Sequence, residues 1–216
     1  MRSEEGNREG RAGEHMNLKI SIGSQDFAFL REYNCFLVDK TDFIKKWWES
    51  GDAVTLITRP RRFGKTLNMD MLKCFFSNQY RDQGQLFEGL NIWKEEKYQQ
   101  LQGTYPVIYL SFADVKQTNY KDAVLKIKKI ITDVYQQYIE LAGWEGLTEV
   151  QVRQFQSVDP YMDDVTAQCA LKDLSGYLYR YYEKKVIILL DEFDTPMQEA
   201  YIHGYWNEFT AFIRSL

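Results

Sequence analysis

Residues 53–66 read AVTLITRPRRFGKT, and the fold turns on how this stretch is parsed. Ala53 to Thr58 is a short, mostly apolar run, which suits a strand buried on both faces. It halts at Arg59-Pro60, because proline cannot donate to a sheet ladder. From Lys65 the pattern changes, and Met71, Leu72, Phe75 and Phe76 fall on one stripe of a helix. A strand, a turn ending in Gly64-Lys65-Thr66, and then a helix is the layout of a phosphate-binding loop, whose usual pattern is GxxxxGK[ST]. Arg59 stands where the first glycine belongs, so the motif is one residue short.

The residue types in this loop each have a chemical reason. Gly64 lets backbone amides close around phosphate oxygens without a side-chain clash. Lys65 reaches the β- and γ-phosphates as a point charge, and Thr66 offers a hydroxyl ligand to Mg²⁺. The helix that starts here adds the positive end of its dipole. The expected nucleotide contacts are therefore Arg61, Arg62, Phe63, Gly64, Lys65, Thr66 and Leu67. Arg61 and Arg62 read equally well as extra phosphate clamps or as charges that screen the loop. By composition alone a Gly-Lys-Ser/Thr triplet arises in roughly one chain in ten of this length. Its position between an apolar strand and an amphipathic helix is what lifts it above chance.

A second landmark lies at Val186 to Glu192, VIILLDE. An apolar parallel strand delivers Asp191 to its carboxyl end, where open α/β sheets bind ligands. Asp191 is the expected Mg²⁺ partner of Thr66. Glu192 is the expected catalytic group, positioning and polarising a water, with Lys65 stabilising the transferred phosphoryl. Alone, the acidic pair could simply begin a solvated loop; beside a phosphate loop it reads as part of the site. Asp194 is expected to cap the turn before Pro196.

Outward from these landmarks, Pro106 to Phe112 (PVIYLSF) and Lys185 to Leu190 predict two further buried strands. Phe43 to Ser50 predicts a short helix ending near Gly51, and 77–105 reads as polar and irregular. Helices are predicted over 122–141, 163–182 and 201–216. The first has Val124, Ile127, Ile131, Val134, Tyr138 and Leu141 at three- and four-residue steps. Apolar strands alternating with helices predict an α/β domain, three layers deep (α/β/α), with a mostly parallel sheet.

Bulk composition narrows the classes. At 216 residues, with 44% hydrophobic and 15% aromatic content, the chain suits one packed domain over 18–216. Residues 1–17 are rich in Gly, Arg and Glu and read as a disordered tail, with Met16 as an alternative start. A net charge of -4 advertises no nucleic-acid surface, and no direct nucleic-acid motif is visible. Cys35, Cys74 and Cys169 show no metal-ligand spacing and read as reduced core thiols in a cytoplasmic protein. With only two histidines, His15 and His203, a zinc site or Ser-His triad is not expected. No run of 18 apolar residues occurs, so no membrane partner is expected. Trp47-Trp48 and Tyr177 to Tyr182 read as core and rim, and Lys126, Lys128 and Lys129 as a solvated helix face.

Together, VDKT at Val38 to Thr41, TRPRRFGKTL at Thr58 to Leu67 and ILLDEFDTP at Ile188 to Pro196 resemble the AAA-ATPase-like family of bacterial proteins. These often carry a restriction-endonuclease-like nuclease domain behind the ATPase domain. The likeness runs from about Ile20 to Leu216. It implies that Arg59 is the family's own variant, and that Lys65, Thr66, Asp191 and Glu192 take the ATP and Mg²⁺ positions of a P-loop NTPase. It places Val38 to Thr41 near the nucleotide base. It further implies that a central strand ending in a polar sensor residue, and any fused nuclease domain, would follow Leu216. The chain is thus expected to be the N-terminal part of such a domain, incomplete at its C-terminus, with unpaired backbone groups that make it marginally stable.

The resemblance implies Mg²⁺-dependent ATP hydrolysis coupled to conformational change. A nucleotide-binding switch, or an inactive truncated remnant without turnover, is the alternative. A small-molecule kinase fits less well, because it has less use for a water-activating Glu192.

Overall fold

Two of the apolar runs form the sheet. The computed structural model describes residues 19–58 and 63–216, with β1 at Val107–Ser111 and β2 at Ile187–Asp191. They pair in parallel, Val107 opposite Ile187 and Ser111 opposite Asp191. The expectations for the tail 1–17, for Arg59, and for Arg61 and Arg62 lie outside the described residues.

Alternation along the strands divides the interior in two. Val107, Ile187 and Leu189 face one cluster, built from α1 (Phe27–Glu32), α2 (Asp42–Ser50), α3 (Lys65–Phe76) and the turns between 84 and 101, with α4 at Glu96–Leu101. Its centre is aromatic: Phe75 lies against Phe76 and Phe87, and Trp47 and Trp48 both lie against Phe76. The expectation that the tryptophan pair packs, instead of offering a stacking platform, agrees with this.

Ile108 and Leu110 face the other cluster, filled by α5 (Tyr120–Gln136), α6 (Glu149–Gln156), α7 (Asp164–Tyr182), α8 (Asp194–Ile202) and α9 (Trp206–Ile213). Buried tyrosines tie this side together, since Tyr135 Oη donates to Ala170 O and Tyr138 Oη to Val107 O, each at 2.7 Å. Helices thus cover both faces of a small parallel sheet, and the class is α/β.

Several expectations need correction. Residues 53–58 join no strand; Val54 is 88% exposed and Leu56 66%. An apolar run becomes a buried strand only when a neighbour takes up its backbone groups. Here β2 pairs with β1 alone among the described strands, and Ile188 and Leu190 on its flank stay nearly half exposed. The predicted last helix is two helices, broken where Gly204 adopts φ 79°. The predicted 122–141 helix stops at Gln136, and a 3-10 turn at Ile139–Gly143 carries Leu141 into the core.

The stretch 77–105, read as irregular, folds into successive 3-10 turns and α4. Asp194 makes no side-chain cap; it is the first residue of α8, where Pro196 is tolerated because first-turn amides need no helical partner. Lys128 is not simply solvated: its Nζ pairs with Asp164 at 2.7 Å and donates to Met162 O at 2.7 Å. Cys35 and Cys74 are buried, but Cys169 is exposed. No helix among the described residues is long and apolar enough to cross a membrane.

One tie shapes the region ahead of α3. Asp39 Oδ1 accepts from Thr41 N at 2.8 Å and Thr41 Oγ1 at 2.7 Å, while Oδ2 accepts from Asn91 N at 2.7 Å. Thr41 Oγ1, buried, accepts in turn from Ile92 N at 3.1 Å. Burial alone would raise the Asp39 carboxyl, but the hydrogen bonds from Thr41 and Asn91 outweigh it and hold the group below its ordinary 3.8. The clamp is therefore complete above that pH and lost as the pH falls through the lowered folded value.

Thr41→Val keeps the shape and removes the hydroxyl, leaving Ile92 N unpaired inside the protein. Thermal unfolding at pH 7 should show a loss of about 1–3 kcal/mol. A melting temperature unchanged from the parent would show that the clamp contributes nothing.

Candidate functional site

The site grows from the junction of a glycine and a helix. Gly64 sits at φ 74°, ψ 27°, a left-handed conformation that a side chain would strain, and its carbonyl accepts from Asn68 N at 3.0 Å. No side chain caps α3, so the first-turn amides at Lys65, Thr66 and Leu67 keep their donors for another partner. Phe63, just before, is 58% exposed. An uncapped helix start behind a left-handed glycine is the geometry that receives an anion.

β2 brings Asp191 to the same place. Asp191 is 3% exposed, and its Oδ2 has no hydrogen-bond partner among the described residues. Burial pushes its pKa up and the neighbouring Glu192 charge adds to the rise. The Thr66 hydroxyl and the Lys65 ammonium pull it back down. The two sequence landmarks, Lys65-Thr66 and Asp191-Glu192, therefore meet in space although the whole sheet crossover lies between them.

An unsatisfied, buried carboxylate oxygen beside a hydroxyl is a donor set for a hard cation. Mg²⁺ is usually held by one or two carboxylates, with the remaining positions taken by waters and phosphate oxygens. Thr66 and Asp191 supply oxygens only, which fits that habit. Among the described residues no group of three or more His, Cys, Asp or Glu is placed to hold a metal, so a cation here would rely on ligands that arrive with it.

Glu192 has φ 54°, an unusual backbone for a residue with a side chain and a cost of order 1 kcal/mol or more. Thr195 holds it there: its backbone N donates to Glu192 O at 3.0 Å, and its Oγ1 donates to Glu192 Oε2 at 3.0 Å. The carboxylate is thus oriented by the first turn of α8.

The sequence did not single out four other residues. Lys40, exposed on the loop that Asp39 and Thr41 clamp, brings its Nζ within 3.6 Å of where a Cβ on Gly64 would lie. It makes no ion pair among the described residues. Asn68, beside the expected contact Leu67, lines a cleft with the 36–41 loop and α1. Tyr109 on β1 is half-buried, and burial followed by the Asp191 charge raises its pKa; Lys73 lies 5.2 Å from its ring centroid. Thr195 is the fourth. Only its spacing in DEFDTP, three residues after Glu192, hinted at contact; for Lys40 the signal was the VDKT signature.

A curated relative, an "Uncharacterized protein in vnfD 5'region" from Azotobacter chroococcum mcd 1, is 34% identical over 115 residues. The match covers 53% of this chain and 21% of that protein, so it spans about a fifth of the relative's length. No solved structure matches. The family described as "Predicted AAA-ATPase" matches residues 21–216, nearly all of the sequence, and the chain belongs to that family.

Proposed function

We propose that this chain is the nucleotide-binding part of a P-loop ATPase that hydrolyses Mg²⁺-ATP and passes the change on through α8. The observation that carries the reading is Asp191, buried with Oδ2 unpaired beside Thr66 and Lys65. Family membership supports nucleotide binding in general.

In this reading the first-turn amides of α3 and the Lys65 ammonium bind the β- and γ-phosphates. Arg61 and Arg62 would border the same phosphates. Thr66 and Asp191 would hold Mg²⁺, which would supply charge neutralisation at the phosphate oxygens. Glu192 orients a water for attack on the γ-phosphorus and takes up its proton as the bond to the β-bridging oxygen breaks. Because Glu192 is hydrogen-bonded to Thr195, loss of the γ-phosphate is felt where α8 begins. A nucleotide switch without turnover remains the second reading, favoured by the exposed 53–58 segment and the unpaired flank of β2.

Three substitutions test this. Lys65→Ala should abolish calorimetric binding of Mg²⁺-ATP while the far-UV spectrum is unchanged; equal binding in both proteins would sink the proposal. Glu192→Gln should keep binding and lower phosphate release about 10²–10⁴-fold. If the parent itself binds but releases no phosphate, the switch reading holds.

Asp191→Asn separates stability from function. Because the folded pKa lies above the ordinary 3.8, the native state binds the proton more tightly than the unfolded chain. Stability is therefore fully present below 3.8 and falls as pH rises through the folded value. The amide should stabilise the protein at pH 7 by about 1 kcal/mol, raising Tm by about 2–4 °C. That gain should shrink toward pH 4, and Mg²⁺-dependent binding should weaken. A variant less stable than the parent at pH 7 would contradict the unpaired-charge account.

A further inference from the structure

The loop held by Asp39 and Thr41 carries a charge that the fold itself does not use. Lys40 is exposed, and its Nζ lies 3.6 Å from where a Cβ on Gly64 would be. It makes no ion pair among the described residues. The carboxylate next to it in sequence is occupied, since Asp39 Oδ1 accepts from Thr41 and Oδ2 from Asn91 N. Lys65 is placed differently. Burial raises the Asp191 pKa and Lys65 opposes the rise, so the Lys65 charge is already shared with a carboxylate.

The place where Lys40 sits is unfavourable for a cation alone. Gly64 opens α3, and the amino end of a helix is the positive end of its dipole. No side chain caps that end, so its first-turn amides add donors without an acceptor. Asp191 Oδ2, buried and without a hydrogen-bond partner among the described residues, is a second sign that this corner is completed by a ligand. An anion at the helix start would turn the repulsion on Lys40 into attraction.

The backbone of Lys40 is tied to a distant turn. Lys40 O accepts from Phe43 N at 2.9 Å. On either side of it, Asp39 and Thr41 accept from Asn91 N and Ile92 N, the first amides of the 3-10 turn at Asn91–Lys94. A pull on Lys40 therefore loads the bonds that hold that turn. We propose that Lys40 is a second phosphate-binding cation, and that the Asp39–Thr41 clamp couples phosphate occupancy to the turn at Asn91–Lys94. The proposal rests on the phosphate-loop reading above. Such coupling is reciprocal, so an intact clamp also tightens phosphate binding.

The test uses calorimetry with Mg²⁺-ATP and amide hydrogen exchange on the 216-residue chain. Lys40→Met should weaken Mg²⁺-ATP binding about 10–100-fold. It should melt no lower than the parent, because an unpaired cation at the positive end of a helix stabilises nothing. In the parent, saturating Mg²⁺-ATP should slow exchange at the Asn91 and Ile92 amides about 5-fold or more. That slowing should vanish in Lys40→Met at saturation. Thr41→Val keeps Lys40 but breaks its tether, and should lower ATP affinity about 5-fold or more.

The proposal is overturned by parent-like ATP affinity in either variant, or by a lower melting temperature in Lys40→Met, which would make the residue structural. Exchange at Asn91 and Ile92 that ignores ATP in the parent overturns it too. If Lys65→Ala abolishes binding while Lys40→Met keeps it, the phosphate-loop reading stands and this one falls alone. If the parent binds no Mg²⁺-ATP, both fall together.

Discussion

The constraint on which everything else rests is the parallel pairing of β1 with β2. It places Asp191 at the end of a buried strand, against the first turn of α3. A carboxylate taken out of water is tolerated only where hydroxyls, cations or amides face it. Thr66 and Lys65 face it here. The same pairing lets Val107, Ile187 and Leu189 complete one core while Ile108 and Leu110 complete the other. The layers on both faces and the site at the strand end follow from one register.

The second organising element is the clamp at Asp39 and Thr41. Two residues spend their polar groups on the turn at Asn91 and Ile92, and Lys40 between them makes no ion pair among the described residues. Lys40 is delivered to Gly64 by that arrangement. The loop also lines the cleft beside α1, with Leu67, Asn68 and Met71 on its other wall.

Much of this was legible beforehand, for reasons that can be named. Periodicity located α5 and α7 because their apolar stripes are long and faithful, and short apolar runs located β1 and β2. The residue types at Gly64 to Thr66 and at Asp191-Glu192 pointed to one place because few other chemistries want that set. What stayed hidden depends on partners far away in the chain. Residues 53–58 have strand composition, but composition does not provide a neighbouring strand. Asp194 looked like a cap, yet the turn is held by Thr195 and Glu192. Asn68 is an ordinary helix residue until the 36–41 loop closes a cleft over it.

The crossover between β1 and β2 also has a kinetic meaning. Contacts within α3 and among the turns that follow are local in sequence, so they form with little loop-closure cost, whereas matching Val107 to Ile187 must wait for the intervening helices to condense. The cradle at the start of α3 is thus assembled early and the acidic strand reaches it late. During synthesis, a nascent chain has Gly64 to Thr66 outside the ribosome well before Asp191 exists. Under the proposed function, a nucleotide that binds only the completed site would stabilise the paired register of β2 over any competing one.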